Sequence, residues 1–290
     1  MLAFWPLLVA FGLPPQAEKD AAAIMAKVAA NVEQATDARR QYVYQQLVRS
    51  SLVRSNGQIS RKETRTYHVF PGEKSTEKKL ASFAGQYRKG KSLIDYSEPG
   101  FEYKGIDIDA DLIKSLTEDL VNEKDSRDGI PHSLFPLNSK KLGAYSFAWK
   151  GESEYKGRKT YRIAFEPREK KTCVEIGGDS EGDCDEAWKG EAWIDAAELQ
   201  PVRIVTDLAF KIPWGVRVFL GTNLRRTGFS ITYVRVAENV WFPATYGTEF
   251  RLDVLWAYKR TVTLSLESSD FQKAGASSKI EYNVPAAVTP

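Results

Sequence analysis

The chain has 290 residues, 42% hydrophobic and 12% aromatic, with 41 Lys and Arg against 38 Asp and Glu and a formal net charge of +3. That length and apolar content are enough for one sizeable core. Charge so nearly balanced and so evenly scattered excludes both an acidic disordered chain and a basic patch for nucleic acid.

Leu2 to Leu13 is an apolar run too short to span a bilayer, followed by Pro14-Pro15-Gln16-Ala17 and the charged Glu18-Lys19-Asp20. This predicts a signal peptide over 1–17, cleaved after Ala17, and export of a mature chain. A short hydrophobic anchor or a misplaced start codon is the alternative. No cysteine lies near the cut, so the chain is not itself a lipoprotein.

Ala21 to Thr36 carries Ile24, Val28 and Val32 at helical spacing with Met25 beside them, which predicts an amphipathic helix. From Tyr42 to Arg54 β-branched and aromatic residues replace that spacing, Asn56-Gly57 supplies a hairpin turn, and Arg61 to Phe70 returns as the partner strand. At least one further strand is expected near Lys79 to Gln86 or Ser92 to Tyr96. A second helix carries Leu112, Ile113, Leu116 and Leu120, with Asp109 and Asp111 as N-cap acceptors and Gly129-Ile-Pro131 as its stop. Capping accounts for the acids Asp107, Asp109 and Asp111 without a catalytic or metal cluster.

Beyond Pro136 the pattern is almost wholly β. Tyr145, Phe147 and Trp149 alternate on one face, as do Tyr161, Ile163 and Phe165 after the Gly151 to Gly157 turn. Trp193 and Ile194 end the next strand. Val202, Ile204, Leu208 and Phe210 line another, then Val216, Val218 and Leu220, then Phe229, Ile231 and Tyr233. Glu238-Asn239 turns the chain into Val240 to Pro243, followed by Tyr246, Phe250 and Leu252, and Val262, Leu264 and Leu266 give the last strand. Successive short strands without alternating helices predict an antiparallel meander. One domain is expected over 18–272, with a frayed tail over 273–290.

Cys173 and Cys184 bound an acidic glycine-containing loop. In an oxidising compartment they would form a disulfide contributing about 2 to 3 kcal/mol. No histidine lies beside them, so a zinc site is not expected. Asp179, Glu181, Asp183 and Asp185 are hard ligands of the kind calcium takes, yet their spacing lacks the full calcium-loop pattern. The only histidines, His68 and His132, sit in no nucleophile or metal motif, and no phosphate loop or dinucleotide fingerprint is present. Neither a metal nor a cofactor is expected.

The run Gly157-Arg-Lys-Thr-Tyr-Arg-Ile-Ala-Phe-Glu-Pro167, then Trp188-Lys-Gly-Glu-Ala-Trp-Ile-Asp195, then Gln200-Pro-Val-Arg-Ile204 resembles the sheet of the lipoprotein-carrier superfamily. That superfamily includes the periplasmic lipoprotein-localisation factors and the lipoprotein-sensing domain of an envelope-stress regulator. The resemblance implies an α+β fold whose antiparallel sheet curves into a half-open barrel covered by helices. It further implies a periplasmic, monomeric, non-catalytic binding protein for the acyl chains of lipids or lipoproteins, with an envelope protein as a further partner. Tyr145, Phe147, Trp149, Tyr161, Ile163, Phe165, Ile204, Leu208, Ile231 and Tyr233 would then line the concavity, and Ile24, Val28, Leu112, Leu116 and Leu120 would form its helical lid. Two alternatives stand beside it: a sensing or interaction module whose concavity is filled by its own helices, and a hydrolase assembled from dispersed residues such as His132 and convergent carboxylates.

Overall fold

Alternation of β-branched and aromatic residues commits most of this chain to strands, and two alanine- or leucine-rich stretches make its helices. The computed structural model describes residues 20–72, 75–121, 126–131, 135, 137–169, 188–209, 223–225, 228–254 and 258–274. Outside these lie the apolar leader, His132, both cysteines with the acidic loop between them, Phe210, the 216–220 run and the tail from 275 onward.

Helix α1 spans Ala21–Arg39. The Asp20 side chain caps it by accepting the Ala23 N–H at 3.0 Å. The buried stripe Ala21, Met25, Val28, Ala29 and Ala35 follows helical spacing, and the helix runs three residues past the predicted Thr36. Strands β1 (Tyr42–Arg54) and β2 (Ile59–Pro71) form the predicted hairpin, with Gly57 at φ +80° in its turn. Both segments proposed for a further strand are strands, β3 (Thr76–Lys89) and β4 (Ser92–Tyr96).

Helix α2 covers Ile108–Val121. Its cap is Asp107, not Asp109 or Asp111, because the Asp107 side chain accepts the Ala110 N–H at 3.3 Å and its backbone carbonyl accepts those of Ala110 and Asp111. The C-terminal meander comprises β5 (Tyr145–Tyr155), β6 (Arg158–Pro167), β7 (Trp188–Asp195), β8 (Pro201–Leu208), the short β9 (Asn223–Arg225), β10 (Phe229–Ala237), β11 (Val240–Val254) and β12 (Tyr258–Lys273).

All strand pairings are antiparallel, and the order across the sheet is β4-β3-β2-β1-β12-β11-β10-β8-β7-β6-β5, with β9 beside the end of β11. Two meanders, β1 to β4 and β5 to β12, are thus welded by pairing the first strand with the last, Tyr42 opposite Lys273 through Arg54 opposite Arg260. The fold is α+β, an open, curved sheet with β4 and β5 as its edges. Helix α1 packs against β5 and β11, and α2 against β1 and β2.

Candidate apolar binding site

Residues directly opposite in a ladder share a face, so the registers trace a row across the sheet. It runs Trp149, Ile163, Ala192, Ile204, Ile231, Tyr246, Leu266, Val48, Arg65 and Phe83. From Ile163 to Ile231 every side chain is fully buried, as are Leu266 and Val48. The row changes character at β2, where Arg61, Glu63 and Arg65 point the same way and are 1%, 3% and 4% exposed. The helix-covered face is therefore bipartite, mainly apolar from β5 to β1, with Gln46, Ser50, Thr206 and Ser268 as buried polar exceptions, and ionic on β2.

The ionic part is internally paired. Arg65 donates to Glu63 at 2.5 and 3.0 Å, the Tyr96 hydroxyl donates to Glu63 at 2.6 Å, and Arg61 donates to Asp107 at 2.7 Å and to the Tyr96 hydroxyl at 3.0 Å. Paired, hydrogen-bonded charges are the form in which a core tolerates them. Burial and the Glu63 carboxylate raise the Tyr96 hydroxyl well above the usual tyrosine range, so it stays a donor. The arginines at 61 and 65 with Glu63 between them carry the period-two signal of one strand face, which is the feature in the sequence that could have revealed this row.

Over the apolar part lies α1. Met25, Val28 and Ala29 are completely buried against it, and Ile24 and Val32 pack at the margin. Helix α2 contributes Leu120 and Val121 to the same core, while its Ile113, with Leu112 and Leu116 alongside, packs on Leu52 and Val262. Of the residues assigned to the concavity, Tyr145, Ile163, Phe165, Ile204, Ile231 and Tyr233 are buried, and Phe147, Trp149 and Tyr161 are partly buried beside them. Leu208 ends β8, and its side chain is outside the described set. The face is filled by the protein's own helices, Ile24, Val28, Leu116 and Leu120 among them, and is not an open bowl.

One gap persists. Between the C-terminal half of α1, the connector residues Arg127 to Pro131, Phe135 and Asn138, and strands β10 and β11 lies a cavity of about 120 Å³. Its apolar walls are Val32, Ile130, Pro131, Phe135, Tyr233 and Pro243, and Glu33, Arg127 and Asn138 line it as well. An apolar cavity of roughly 150 Å³ takes up benzene, so this one admits a small apolar group but no long chain. Thr36 and the buried pair Arg39–Asp128, closed at 2.7 Å, complete its lining. Asp128 also accepts from the Ser126 hydroxyl and the Ile130 N–H, its backbone carbonyl accepts from the Tyr44 hydroxyl at 2.8 Å, and Arg39 reaches the Trp241 carbonyl. Burial pushes the Tyr233 hydroxyl up, with Arg39 opposing.

This knot has a steric requirement. Gly129 sits at φ +79°, and a Cβ there would meet the Tyr44 hydroxyl and Val69 at 2.6 Å. Sequence reasoning misses Asp128 and Phe135, because the connector has no periodicity to reveal which of its residues turn inward, and it misses Arg39, because a charge in the last turn of α1 reads as exposed until its buried partner is known.

The Trp-Ile-Asp end of β7 has a structural role. Asp195 accepts the N–H groups of Ala197 and Glu198 at 3.0 and 2.8 Å and binds Arg158 at 2.6 Å, which fixes the β7–β8 turn. Asp109 likewise anchors α2, accepting from Arg260, Tyr258 and Ser60. His68 is half-buried on β2, opposite Gln45 and Lys79. Among the described residues no group of three or more His, Cys, Asp and Glu side chains is placed to hold a metal. No described helix is long and apolar enough to cross a membrane.

No family model matches the chain, and no curated protein matches it. Among solved structures, a domain described as a candidate outer-membrane lipoprotein-sorting protein from Vibrio parahaemolyticus aligns at 12% identity over 88% of this chain and 95% of its own, with a TM-score of 0.34. A DUF1329 family protein from Desulfovibrio piger aligns at 10% identity over 90% and 96%, TM-score 0.37. A LolA superfamily protein from Nitrosomonas europaea aligns at 9% identity over 84% and 92%, TM-score 0.29. At these scores the superpositions are loose, and no ligand or partner follows from them.

Proposed function

We propose that the protein binds an apolar chain, the acyl tail of a lipid or lipoprotein, beneath α1, as an exported, periplasmic, monomeric carrier that catalyses nothing. The observation that carries this reading is the apolar cavity under the rim of α1, continuous with a broad apolar sheet face that the helix covers. Room for one small group is not room for a chain, so binding requires α1 to move. Uncovering Met25 and Val28 forfeits about 1.5 to 3 kcal/mol each. An acyl chain at about 0.8 kcal/mol per buried methylene returns roughly 10 kcal/mol gross. The loss of free translation then leaves a modest affinity, as a carrier that must release its load requires. An envelope protein that receives the load is the partner this role implies.

The test is displacement of a hydrophobic fluorophore, N-phenylnaphthylamine, by a long-chain fatty acid, for the wild type and for Val32→Asp. Val32 is only partly buried, so the variant should fold, whereas a charge at the fully buried Ile163 would unfold the core. Saturable micromolar binding that Val32→Asp weakens about tenfold is expected. Absence of binding sinks the carrier reading. The second reading, an interaction or sensing module with a permanently filled face, is favoured by the packing of Met25, Val28 and Ala29, and it predicts that absence.

A further inference from the structure

Eight large hydrophobic side chains stand exposed among the described residues, and six of them, Leu93, Ile94, Phe101, Tyr103, Ile106 and Ile108, fall between positions 93 and 108. That concentration makes one corner of the sheet, the β3–β4 edge with the loop leading to α2, unlike the rest of the surface. Ile106 is 77% exposed and Ile108 52%. The corner is also built. Tyr103 stacks on Tyr87 at 4.8 Å and 17°, and Phe101 on Tyr96 at 5.1 Å and 25°. Beneath them the buried Arg61 holds both ends of the loop, donating to the Phe101 carbonyl at 2.9 Å and to the Asp107 carboxylate at 2.7 Å.

Cations frame this apolar tip. Lys89 and Lys91 are exposed at the β3–β4 turn, and the Lys104 ammonium stands 5.1 Å over the Tyr103 ring. Arg88 is tied to the Ile59 and Lys91 carbonyls. The acids on the segment and the helix start it leads to are Asp95, bonded to Gln86, Glu98 and Glu102 on the loop, Asp107 and Asp109, held by Arg61 and Arg260, and Asp111, exposed in the first turn of α2. Exposed isoleucines, tyrosines with a polar tip and lysines on long stems are the set that the boundary between headgroups and acyl chains accommodates. A peptide strand added to the open edge of β4 fits less well, because that edge is only five residues long and the two most exposed side chains lie off it.

We propose that this corner docks the protein on a phosphate-bearing bilayer surface, with Ile106 and Ile108 entering the acyl boundary and Lys89, Lys91 and Lys104 facing phosphate. The docking site is separate from the cavity under α1, so it stands or falls independently of acyl binding.

The test is co-flotation of the full chain with vesicles of mixed phosphatidylcholine and phosphatidylglycerol, and with pure phosphatidylcholine vesicles alongside. Wild type should partition onto the anionic vesicles, I106D/I108D should lose about tenfold in partitioning, and K89E/K91E/K104E a similar factor with a weaker salt dependence. V234D, which places a charge at an exposed side chain on β10, should match wild type. Equal melting curves and equal N-phenylnaphthylamine binding would show that the corner variants fold and keep the cavity. Wild type that fails to float, or I106D/I108D that floats as well as wild type, overturns the proposal. So does self-association lost in I106D/I108D without any vesicle binding, which would assign the corner to a protein partner.

Discussion

Phe165 meets Tyr145 edge to face at 6.0 Å and 70° and is 3% exposed, so little room is left around its ring. Phe165→Ala should therefore cost about 3 to 5 kcal/mol in denaturant unfolding; a loss below about 1 kcal/mol would mean the face is loosely packed. Two carboxylates contribute to the acid limb of stability. Burial alone would raise both, yet Arg260, Ser60 and Tyr258 at Asp109, and Arg158 with the Glu198 and Ala197 N–H groups at Asp195, more than offset it and hold both below the usual aspartate range. A depressed folded-state pKa contributes stability that is present above the unfolded value of about 3.9 and is lost as pH falls through the folded one. Thermal melts from neutral pH downward should thus be flat until about pH 4 and then drop. Asp109→Asn should lose about 1 to 3 kcal/mol at neutral pH, where its partners are left short of a charge, and should fall less steeply in acid. A parallel acid limb in wild type and variant would show that Asp109 is not one of the controlling groups.

At the scale of elements, the proposed acyl site would set α1 in competition with ligand for the sheet face, which gives an unusual expectation. Met25→Ala removes a completely buried side chain from the helix and should destabilise the free protein by about 2 to 5 kcal/mol. The same change makes the open state more populated, so apparent affinity for a fatty acid should rise, by up to about tenfold for each 1.4 kcal/mol released. Isothermal titration of the folded variant checks this, and weaker binding would mean that Met25 is a wall of the site and not its competitor. Most elements are legible in the residue pattern alone. The run Tyr42 to Arg54 matches β1 at both ends because strand-forming residues continue without a glycine or proline up to Asn56-Gly57. Strand β3 is harder to read, since lysines and Gly85 interrupt it. That glycine is needed there, as a Cβ would lie 2.3 Å from the Tyr96 ring that covers it. The pattern puts the cap of α2 two residues late because three acids alternate there and only the tertiary partner Arg61 picks out Asp107. Strand β9, three residues long, carries no period to detect.

Across the whole molecule, pairing β1 with β12 closes the longest loop the chain offers and turns two meanders into one sheet. Parity within each strand is legible, and it places Trp149 with Ile163, and Phe147 with Phe165, on one face, as the register confirms. The order of strands is not, because local pattern does not say which edges meet, and so the joining of an apolar half to the ionic Arg61, Glu63 and Arg65 row could not be foreseen. The cavity is equally invisible, being a void between a helix and a connector and not a property of either segment. On the proposed reading that void is where α1 would begin to lift, with the Arg39–Asp128 pair at one end and the Asn31 amide bonded to the Glu198 and Leu199 carbonyls along the helix. Hydrogen exchange with and without a long-chain fatty acid tests the central claim most directly. Acyl binding under a displaced helix predicts faster exchange across Ala21–Arg39 and unchanged or slower exchange in β6, β7 and β8. A helix that stays equally protected while fatty acid is bound, or becomes more protected, would contradict it.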